Sequence, residues 1–479
     1  VSAPVTVAPD PRKSRAPFQF AVLVAVYLMV LYLLPRPDGV TPAGWRLLAL
    51  FASAVVGLIM QPIPGGAIVL IAVTLTPLIG GLTIGQALSG YADPTVWLVM
   101  AAFFISRSLI NTGLARRIAL FFVRSFGRSS LGVCYALALS DAVLAAIIPS
   151  NGARSGGVIL PIVRSISELY GSLPGATAGI IGNFLFSAVY QSICVSAAMF
   201  YTGQASNPLA ARMAADAGFS VTWTSWLVAG IVPGLLSLAI VPLAVFKLNR
   251  PAVLKTPEAA AFARDELRSM GPLRQGEWIL AAVFVAVCGM WVTSGIHGID
   301  ITITALAGSS ALLLTGVLTW EDVKNERAAW DIFIWYGGLL MLGKALNEAR
   351  VTTEFARAVA DTFSFAEWPL LLTLSVPIYF YAHYGFASIT AHILAMFPPF
   401  LAVLSAREAP IGLTVFAFAC FANLSAGLTN YGTTPSPMYF AHGYVPMKTW
   451  WRIGFLVSLV NFAIWGTVGV LWWKVIGLW

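Results

Sequence analysis

Long apolar segments separated by short polar loops make up most of this chain. A transmembrane helix needs about 20 predominantly apolar residues. Segments of that kind predict about eleven spans, near residues 18–35, 43–61, 65–80, 94–112, 176–202, 223–246, 277–295, 301–318, 330–347, 411–440 and 453–475. We therefore expect an all-α polytopic membrane protein.

Two further apolar segments, 130–170 and 366–405, are each interrupted near the middle by a polar turn. Polar turns at membrane depth are costly unless they line a cavity or face a ligand. A single straight span would expose these turns to lipid. Each segment therefore predicts a re-entrant helical hairpin, which enters the bilayer and returns to the side it came from.

The two polar turns match each other. In both, a serine is followed four positions later by a basic residue: Ser150 by Arg154, and Ser388 by His392. The serines are 238 positions apart, and a second matching pair, 236 positions apart, is Asn111 and Asn347. Such self-similarity is typical of transporters built from two repeats, with a substrate site where the repeats meet.

Charge supports the membrane prediction and sets an orientation. Only 10% of residues are charged and the mean hydropathy is +0.83, whereas soluble proteins have about 25% charged residues. Basic residues cluster in loops, so the net charge of +8 indicates topology and not nucleic-acid binding. The positive-inside rule predicts a cytoplasmic N-terminus, an external C-terminus, and a cytoplasmic loop at 247–274. The two halves are then inverted, and Arg350 and Arg357 are exceptions on the outer face.

A third polar feature follows each hairpin, at 201–208 and at 423–437. Gly, Thr and Pro inside an apolar span are typical of a broken helix whose free backbone groups bind an ion or substrate. For 203–208 a plain loop is an equal alternative, so Asn207 is either a loop cap or a site residue. For 427–437 the close apolar flanks favour a broken helix.

These motifs resemble those of the divalent anion/sodium symporters, the dicarboxylate transporter family. Ser150-Asn151-Gly152 resembles the Ser-Asn-Thr signature of that family, although Gly152 replaces the threonine and Ile389 stands where the second hairpin would have asparagine. The run from Gly427 to Pro435, followed by Gly443-Tyr444-Val445-Pro446 and Trp450-Trp451-Arg452, resembles the branch of bacterial citrate/succinate and tartrate/succinate antiporters and the plastid 2-oxoglutarate/malate translocator.

The resemblance implies a homodimer in a bilayer, in the inner membrane of a bacterium, with a scaffold and a transport part that moves as an elevator. The predicted domains are a cytoplasmic tail, N-terminal scaffold helices, the first repeat, a cytoplasmic linker, further scaffold helices and the second repeat. Their boundaries are 1–17, 18–93, 94–247, 248–274, 275–329 and 330–479.

A dicarboxylate at mid-membrane needs hydrogen-bond donors and positive charge. The residues predicted to bind it are Ser150, Asn151, Gly152, Arg154, Asn207, Ser388, Thr390, His392, Thr433, Thr434 and Pro435. Arg154 and His392 are expected to replace sodium as the counter-charge, which predicts exchange with no cofactor and little need for sodium. An empty cationic cavity would cross the membrane poorly, which favours exchange over net uptake.

Several alternatives stay open at this point. Arg154 could pair with Asp141 across its own hairpin, and His392 could be a core histidine. His383 and His442 are expected to be structural or loop residues. A sodium-coupled di- or tricarboxylate symporter is the alternative function. The sequence does not choose among 2-oxoglutarate, malate, succinate, tartrate and citrate.

Other functional classes are weakly supported. The motifs HExxH, Gly-x-Ser-x-Gly and GxxxxGK[ST] are absent from the sequence, which disfavours a membrane-embedded enzyme or a nucleotide-driven pump. A channel would need a filter shared among subunits, whereas inverted halves suggest alternating access.

Overall fold

Residues 11–362 and 366–479 are described by the structure, a computed structural model, and the regular elements found among them are helices. The α-helices of the first part of the chain are α1 (Pro11–Tyr32), α2 (Pro42–Met60), α3 (Gly65–Leu78), α4 (Ile84–Leu88), α5 (Pro94–Thr112), α6 (Leu114–Phe126), α7 (Ser130–Ala145), α8 (Leu160–Leu169), α9 (Gly182–Met199), α10 (Ser206–Asp216), α11 (Trp223–Leu248) and α12 (Pro257–Ser269).

The second part continues the all-helical pattern. Its helices are α13 (Gln275–Val292), α14 (Ser294–His297), α15 (Ile301–Leu314), α16 (Trp320–Asn325), α17 (Arg327–Glu348), α18 (Val351–Thr362), α19 (Trp368–Ala382), α20 (Ile389–Ala406), α21 (Ile411–Ser425), α22 (Pro435–Ala441), α23 (Met447–Ala463) and α24 (Val470–Val475). A π-helical turn, Ile464–Gly469, joins the last two.

Among the described residues, seven helical segments are long and apolar enough to cross a membrane. They are Pro42–Met60, Pro94–Thr112, Trp223–Leu248, Gln275–Val292, Ile389–Ala406, Ile411–Leu428 and Met447–Val475. Shorter apolar helices, such as Gly65–Leu78 and Ile301–Leu314, add to them. The all-α polytopic class is thus confirmed, while the number of eleven crossings and the inverted repeats stay predictions.

The chain divides into two compact units. The first contains the helices up to Val96 and the segment from Trp330 through α18; the second contains Trp97–Ala329 and the chain after α18. In the first unit α1 packs on α2 and α2 on α3, and in the second α9 is the central helix, packed against α7, α11 and α21. Seventeen of the eighteen residues of α9 are buried. The breaks near 96 and 330 lie close to two predicted boundaries, and the scaffold and transport roles stay predictions.

Both predicted hairpin segments are two helices joined by a turn at the predicted place. In the first, α7 ends at Ala145 and a π-helical stretch, Gly152–Ile159, leads directly into α8. In the second, α19 is followed by a 3-10 turn, His383–Gly385, and α20 begins at Ile389. The predicted span 411–440 is interrupted between Leu428 and Pro435, and at the end of the predicted span 176–202 a short buried break separates Met199 from Ser206. For 203–208 the burial of this break favours a broken helix over a plain loop.

The polar linker is an ordered part of the second unit. Its helix α12 packs on α6, and the guanidinium of Arg117 on α6 donates to the Glu277 carboxylate and the Gly271 carbonyl, both at 2.8 Å. At the start of α12, the Tyr170 hydroxyl donates to Glu258 at 2.7 Å. That hydrogen bond lowers the pKa of the Glu258 carboxyl below its ordinary value. The linker is therefore attached both to α6 and to the end of the first hairpin.

Candidate functional site

The first hairpin turn is built so that one serine caps the helix and one asparagine turns inward. The Ser150 hydroxyl accepts a hydrogen bond from the backbone N–H of Ala153 at 3.1 Å, which satisfies a free donor of the helix start. Ser150 is partly exposed, while Asn151 is 6% exposed. The hydroxyl of Ser155, one helical turn further along the chain, donates to the Asn151 carbonyl and stabilises the turn.

The amide of Asn151 joins three separate turns. Its nitrogen donates to the side-chain oxygen of Gln204 at 2.7 Å and to the hydroxyl of Thr433 at 3.2 Å. Gln204 lies in the break between α9 and α10, and Thr433 in the break between α21 and α22. The first hairpin and both broken helices therefore meet at this amide, while the convergence of the two hairpin turns on one site stays a prediction.

Gly152 has a steric reason to be glycine. A Cβ atom placed there would lie 2.9 Å from the Cγ2 methyl of Thr434, closer than carbon atoms normally pack. Thr434 itself is exposed. The space that a threonine side chain would need at position 152 is thus occupied by the methyl group of a threonine from the second broken helix. Pro435 is buried and starts α22, where its missing N–H is not needed.

Arg154 is fully buried in an ion pair with Asp141. Its Nε lies 3.0 Å from the Asp141 carboxylate, and both side chains are 0% exposed. One terminal nitrogen of the guanidinium donates to the carbonyls of Ile148 and Gly203, at 2.8 and 2.6 Å. The hydroxyl of Ser196 donates to the other side of the same carboxylate. The expected role of Arg154 as a free counter-charge is corrected here: the pair is neutral, and its hydrogen bonds tie the hairpin turn to the first broken helix.

The second hairpin turn offers hydroxyls, and its basic residue is buried. Ser388 caps α20 by accepting from the backbone N–H of Ala391 at 3.5 Å, and both Ser388 and Thr390 are partly exposed. His392 is 0% exposed, with the rings of Tyr379 and Phe386 packed against it. It therefore does not reach the open side of the turn, contrary to its expected role as a direct substrate ligand.

Asn207 is a structural residue of the broken helices. Its amide nitrogen donates to the carbonyls of Ala197 and Phe200, at 2.8 and 2.9 Å, and so links the end of α9 to the residue that follows it. Its oxygen accepts from the Asn423 amide at 2.8 Å. The bond between Asn207 and Asn423 therefore joins the broken helices of the two halves, one turn away from Gln204.

Accessible hydroxyls and helix starts give each hairpin turn its chemistry. Ser150 and Thr434 present donors at the first turn, Ser388 and Thr390 present donors at the second, and the helices that begin at Gly152 and Ile389 add backbone N–H groups with the positive end of the helix dipole. Within 11–362 and 366–479, no group of three or more His, Cys, Asp or Glu side chains could hold a metal ion. The arrangement suits an anion held by neutral donors.

Comparison with known proteins identifies the family of this chain. Residues 16–479 match the model of a family described as the sodium:sulfate symporter transmembrane region. The chain belongs to this family. It is therefore a membrane transporter rather than an enzyme, and the resemblance inferred from its motifs is confirmed.

Individual relatives extend over nearly the whole chain. The putative malate transporter YflS of Bacillus subtilis is 44% identical over 460 residues, covering 96% of each protein. Dicarboxylate transporter 1 of spinach chloroplasts is 40% identical, covering 97% of this chain and 82% of the relative. The crystal structure of the YdaH transporter of Alcanivorax borkumensis superimposes with a TM-score of 0.53 at 14% identity, covering 98% and 99% of the two chains, which shows a shared fold alone.

Two residues important to the site geometry were not among the predicted ligands. Gln204 stands in a polar stretch that predicted a broken helix, but its partner is 53 positions away and not visible in the pattern. His383, expected to be a structural or loop residue, is buried, and its ring contacts both His392 and the Gly432 carbonyl. The 238-residue offset was a signal for this pair: it relates Asp141 to Tyr379 and Arg154 to His392. The contact between Asp141 and Arg154 therefore corresponds to the contact between Tyr379 and His392.

Proposed function

We propose that this transporter exchanges dicarboxylates of the malate, succinate and 2-oxoglutarate class across the membrane. The supporting observation is the convergence of three polar turns on Asn151, beside partly exposed hydroxyls and helix starts. Two carboxylates can each accept from such donors. Relatives named as malate and dicarboxylate transporters support the same substrate class.

Exchange and elevator motion rest on the resemblance of the 427–452 run to the exchanger branch, as does assembly into a homodimer. In this proposal the cluster around Asn151 moves as one body with its substrate, because its hydrogen bonds join both halves of the second compact unit. A doubly charged anion would be costly to desolvate alone. Substrate therefore crosses only inside the polar cluster.

Sodium-coupled symport is the second candidate, and one observation favours it. The Asp141 carboxylate cancels the charge of Arg154, so that arginine no longer provides a reason to dispense with sodium. The cation that accompanies the substrate must then come from solution, as sodium or as another ion.

Counterflow in proteoliposomes tests the proposal. Vesicles holding the purified carrier are preloaded with a panel of di- and tricarboxylates, and uptake of radiolabelled malate is measured with sodium or choline outside. Exchange predicts uptake that needs an internal dicarboxylate and persists in choline. Loss of most uptake in choline would establish symport, and uptake independent of any internal dicarboxylate would exclude obligatory exchange.

A further inference from the structure

His383 and His392 form a buried pair beside the second hairpin turn. Their Nδ1 atoms are 3.2 Å apart, and Nε2 of His383 is 3.0 Å from the carbonyl oxygen of Gly432. Both side chains are 0% exposed. The ring of Tyr379 lies over His392 with a centroid distance of 4.3 Å. Gly432 precedes Thr433, so the pair is connected through one peptide to the hydroxyl that Asn151 contacts.

Hydrogen-bond chemistry determines where the protons of this pair lie. A carbonyl oxygen only accepts, so Nε2 of His383 carries a hydrogen, and in a neutral ring its Nδ1 then accepts. Nδ1 of His392 must donate to it, which leaves a lone pair on Nε2 of His392. Across the described part of the chain, this atom has no hydrogen-bond partner. The pair thus has a buried atom able to accept a proton.

The equivalent positions of the first hairpin show why this matters for charge. Arg154 and His392 are related by the 238-residue offset of the repeat, and Asp141 and Tyr379 are related by the same offset. In the first hairpin the basic residue faces a carboxylate, whereas in the second it faces a neutral phenol ring. A proton added to His392 would therefore bring a positive charge. Tyr379, which stands where the first hairpin has Asp141, does not cancel that charge.

The other ionisable groups near His392 leave that charge uncompensated. The helices packed against α20 are α10, α19 and α21. Their titratable groups, together with those of the adjoining turn, are Arg212, Asp216, Tyr379, Tyr381, His383, Tyr384 and Cys420. Asp216, the carboxylate in this set, pairs with Arg212 at 3.3 Å. An imidazolium in such surroundings is costly without an anion from outside the protein.

We propose that the His383–His392 pair binds one proton together with the dicarboxylate, at Nε2 of His392. This proposal rests on the proposed function. A proton from the aqueous phase forms an N–H bond with the lone pair, and the ring becomes a cation that remains hydrogen-bonded to His383. The substrate dianion at the Asn151 cluster compensates the new charge. By thermodynamic linkage, substrate binding raises the affinity for the proton, and protonation at lower pH raises the affinity for substrate by the same factor.

Proton uptake on binding measures this directly. The purified full-length carrier is titrated with malate by calorimetry at about pH 7.5, in two buffers of different ionisation enthalpy, where malate is a dianion. The wild-type carrier is expected to take up about one proton per malate, and His392→Gln close to none. His297 is exposed at the end of α14, so His297→Gln is the matched control and should retain the wild-type uptake.

The outcomes separate this proposal from the function on which it rests. Wild-type carrier that exchanges and binds malate without proton uptake overturns the proton site alone, and so does wild-type uptake in a folded His392→Gln. If that variant does not fold, the wild-type affinity decides, since an affinity that is constant between about pH 6 and 8 overturns the proposal. A carrier that neither binds nor exchanges any dicarboxylate overturns both.

Discussion

The amide nitrogen of Asn151 lies 3.2 Å from the hydroxyl of Thr433, although 282 positions separate them in the chain. The bond brings the first hairpin turn to the second broken helix. Both groups are buried, so their partners cannot be replaced by bulk water. The site is thus assembled from both halves, and its parts depend on each other.

Asn151→Ala should reduce malate exchange by about tenfold or more. The substitution removes a hydrogen-bond donor and leaves the buried oxygens of Gln204 and Thr433 without their partner. An unsatisfied buried acceptor costs the assembled site roughly 1–3 kcal/mol. Initial rates of counterflow, normalised to the amount of carrier in the vesicles, provide the measurement. Asn325→Ala is the matched control, because Asn325 is exposed and bonded to Glu321; equal rates in both variants would contradict the role of Asn151.

Neutralising either member of the pair formed by Arg154 and Asp141 should destabilise the carrier by about 3–5 kcal/mol, because the remaining charge would be buried alone. The double variant Arg154→Met with Asp141→Leu should recover much of that stability, since it leaves no unpaired charge. Thermal unfolding in detergent, monitored by intrinsic tryptophan fluorescence, compares the stability of the two single variants and the double variant. The exposed pair of Arg164 and Glu168, 54% and 42% exposed, provides the control.

For that exposed pair, Arg164→Met should cost no more than about 1 kcal/mol. A single variant, Arg154→Met, that is as stable as Arg164→Met would show that the buried pair does not hold the turn. If Arg154→Met folded normally and lost substrate affinity alone, Arg154 would instead be a direct ligand.

Gly152→Thr should impair transport through a steric clash, because its side chain would meet the methyl group of Thr434. Combining it with Thr434→Gly should restore activity, since the double variant exchanges the positions of the two side chains. Counterflow rates test both. Gly157→Ala serves as the control, as a Cβ there meets its nearest atom, Cδ1 of Ile110, at 4.0 Å. A double variant no better than Gly152→Thr would show that the clash is not the cause.

The predicted orientation places position 255 in the cytoplasm and the end of α17 outside. Lys255→Cys should therefore resist a membrane-impermeant thiol reagent added to intact cells, while Glu348→Cys should react. Both side chains are exposed, so accessibility in lysed cells should be equal. Of the four native cysteines, Cys134, Cys194 and Cys420 are buried and Cys288 is partly exposed, so both variants carry Cys288→Ser to keep the background low. Labelling of position 255 from outside would reverse the topology.

The sequence predicted elements better than partners. Polar turns around Ser150 and Ser388 and the breaks near Gln204 and Thr433 all occur where the pattern placed them, because a polar residue in an apolar segment is a local signal. Contacts are not local. The sequence left open whether Arg154 pairs with Asp141 or faces the substrate. The structure shows the pair, because α7 and the helix after the turn are close enough for these side chains to meet.

The folded linker limits how far the length of the chain can vary between relatives. Arg117, Tyr170 and the start of α7 are all bonded to α12 or to the residues beside it. An insertion or deletion in this segment would therefore break at least one of three attachments, which a loose connecting loop would not have. We expect relatives of this carrier to preserve the length of 248–274 more strictly than a polar connecting segment would require.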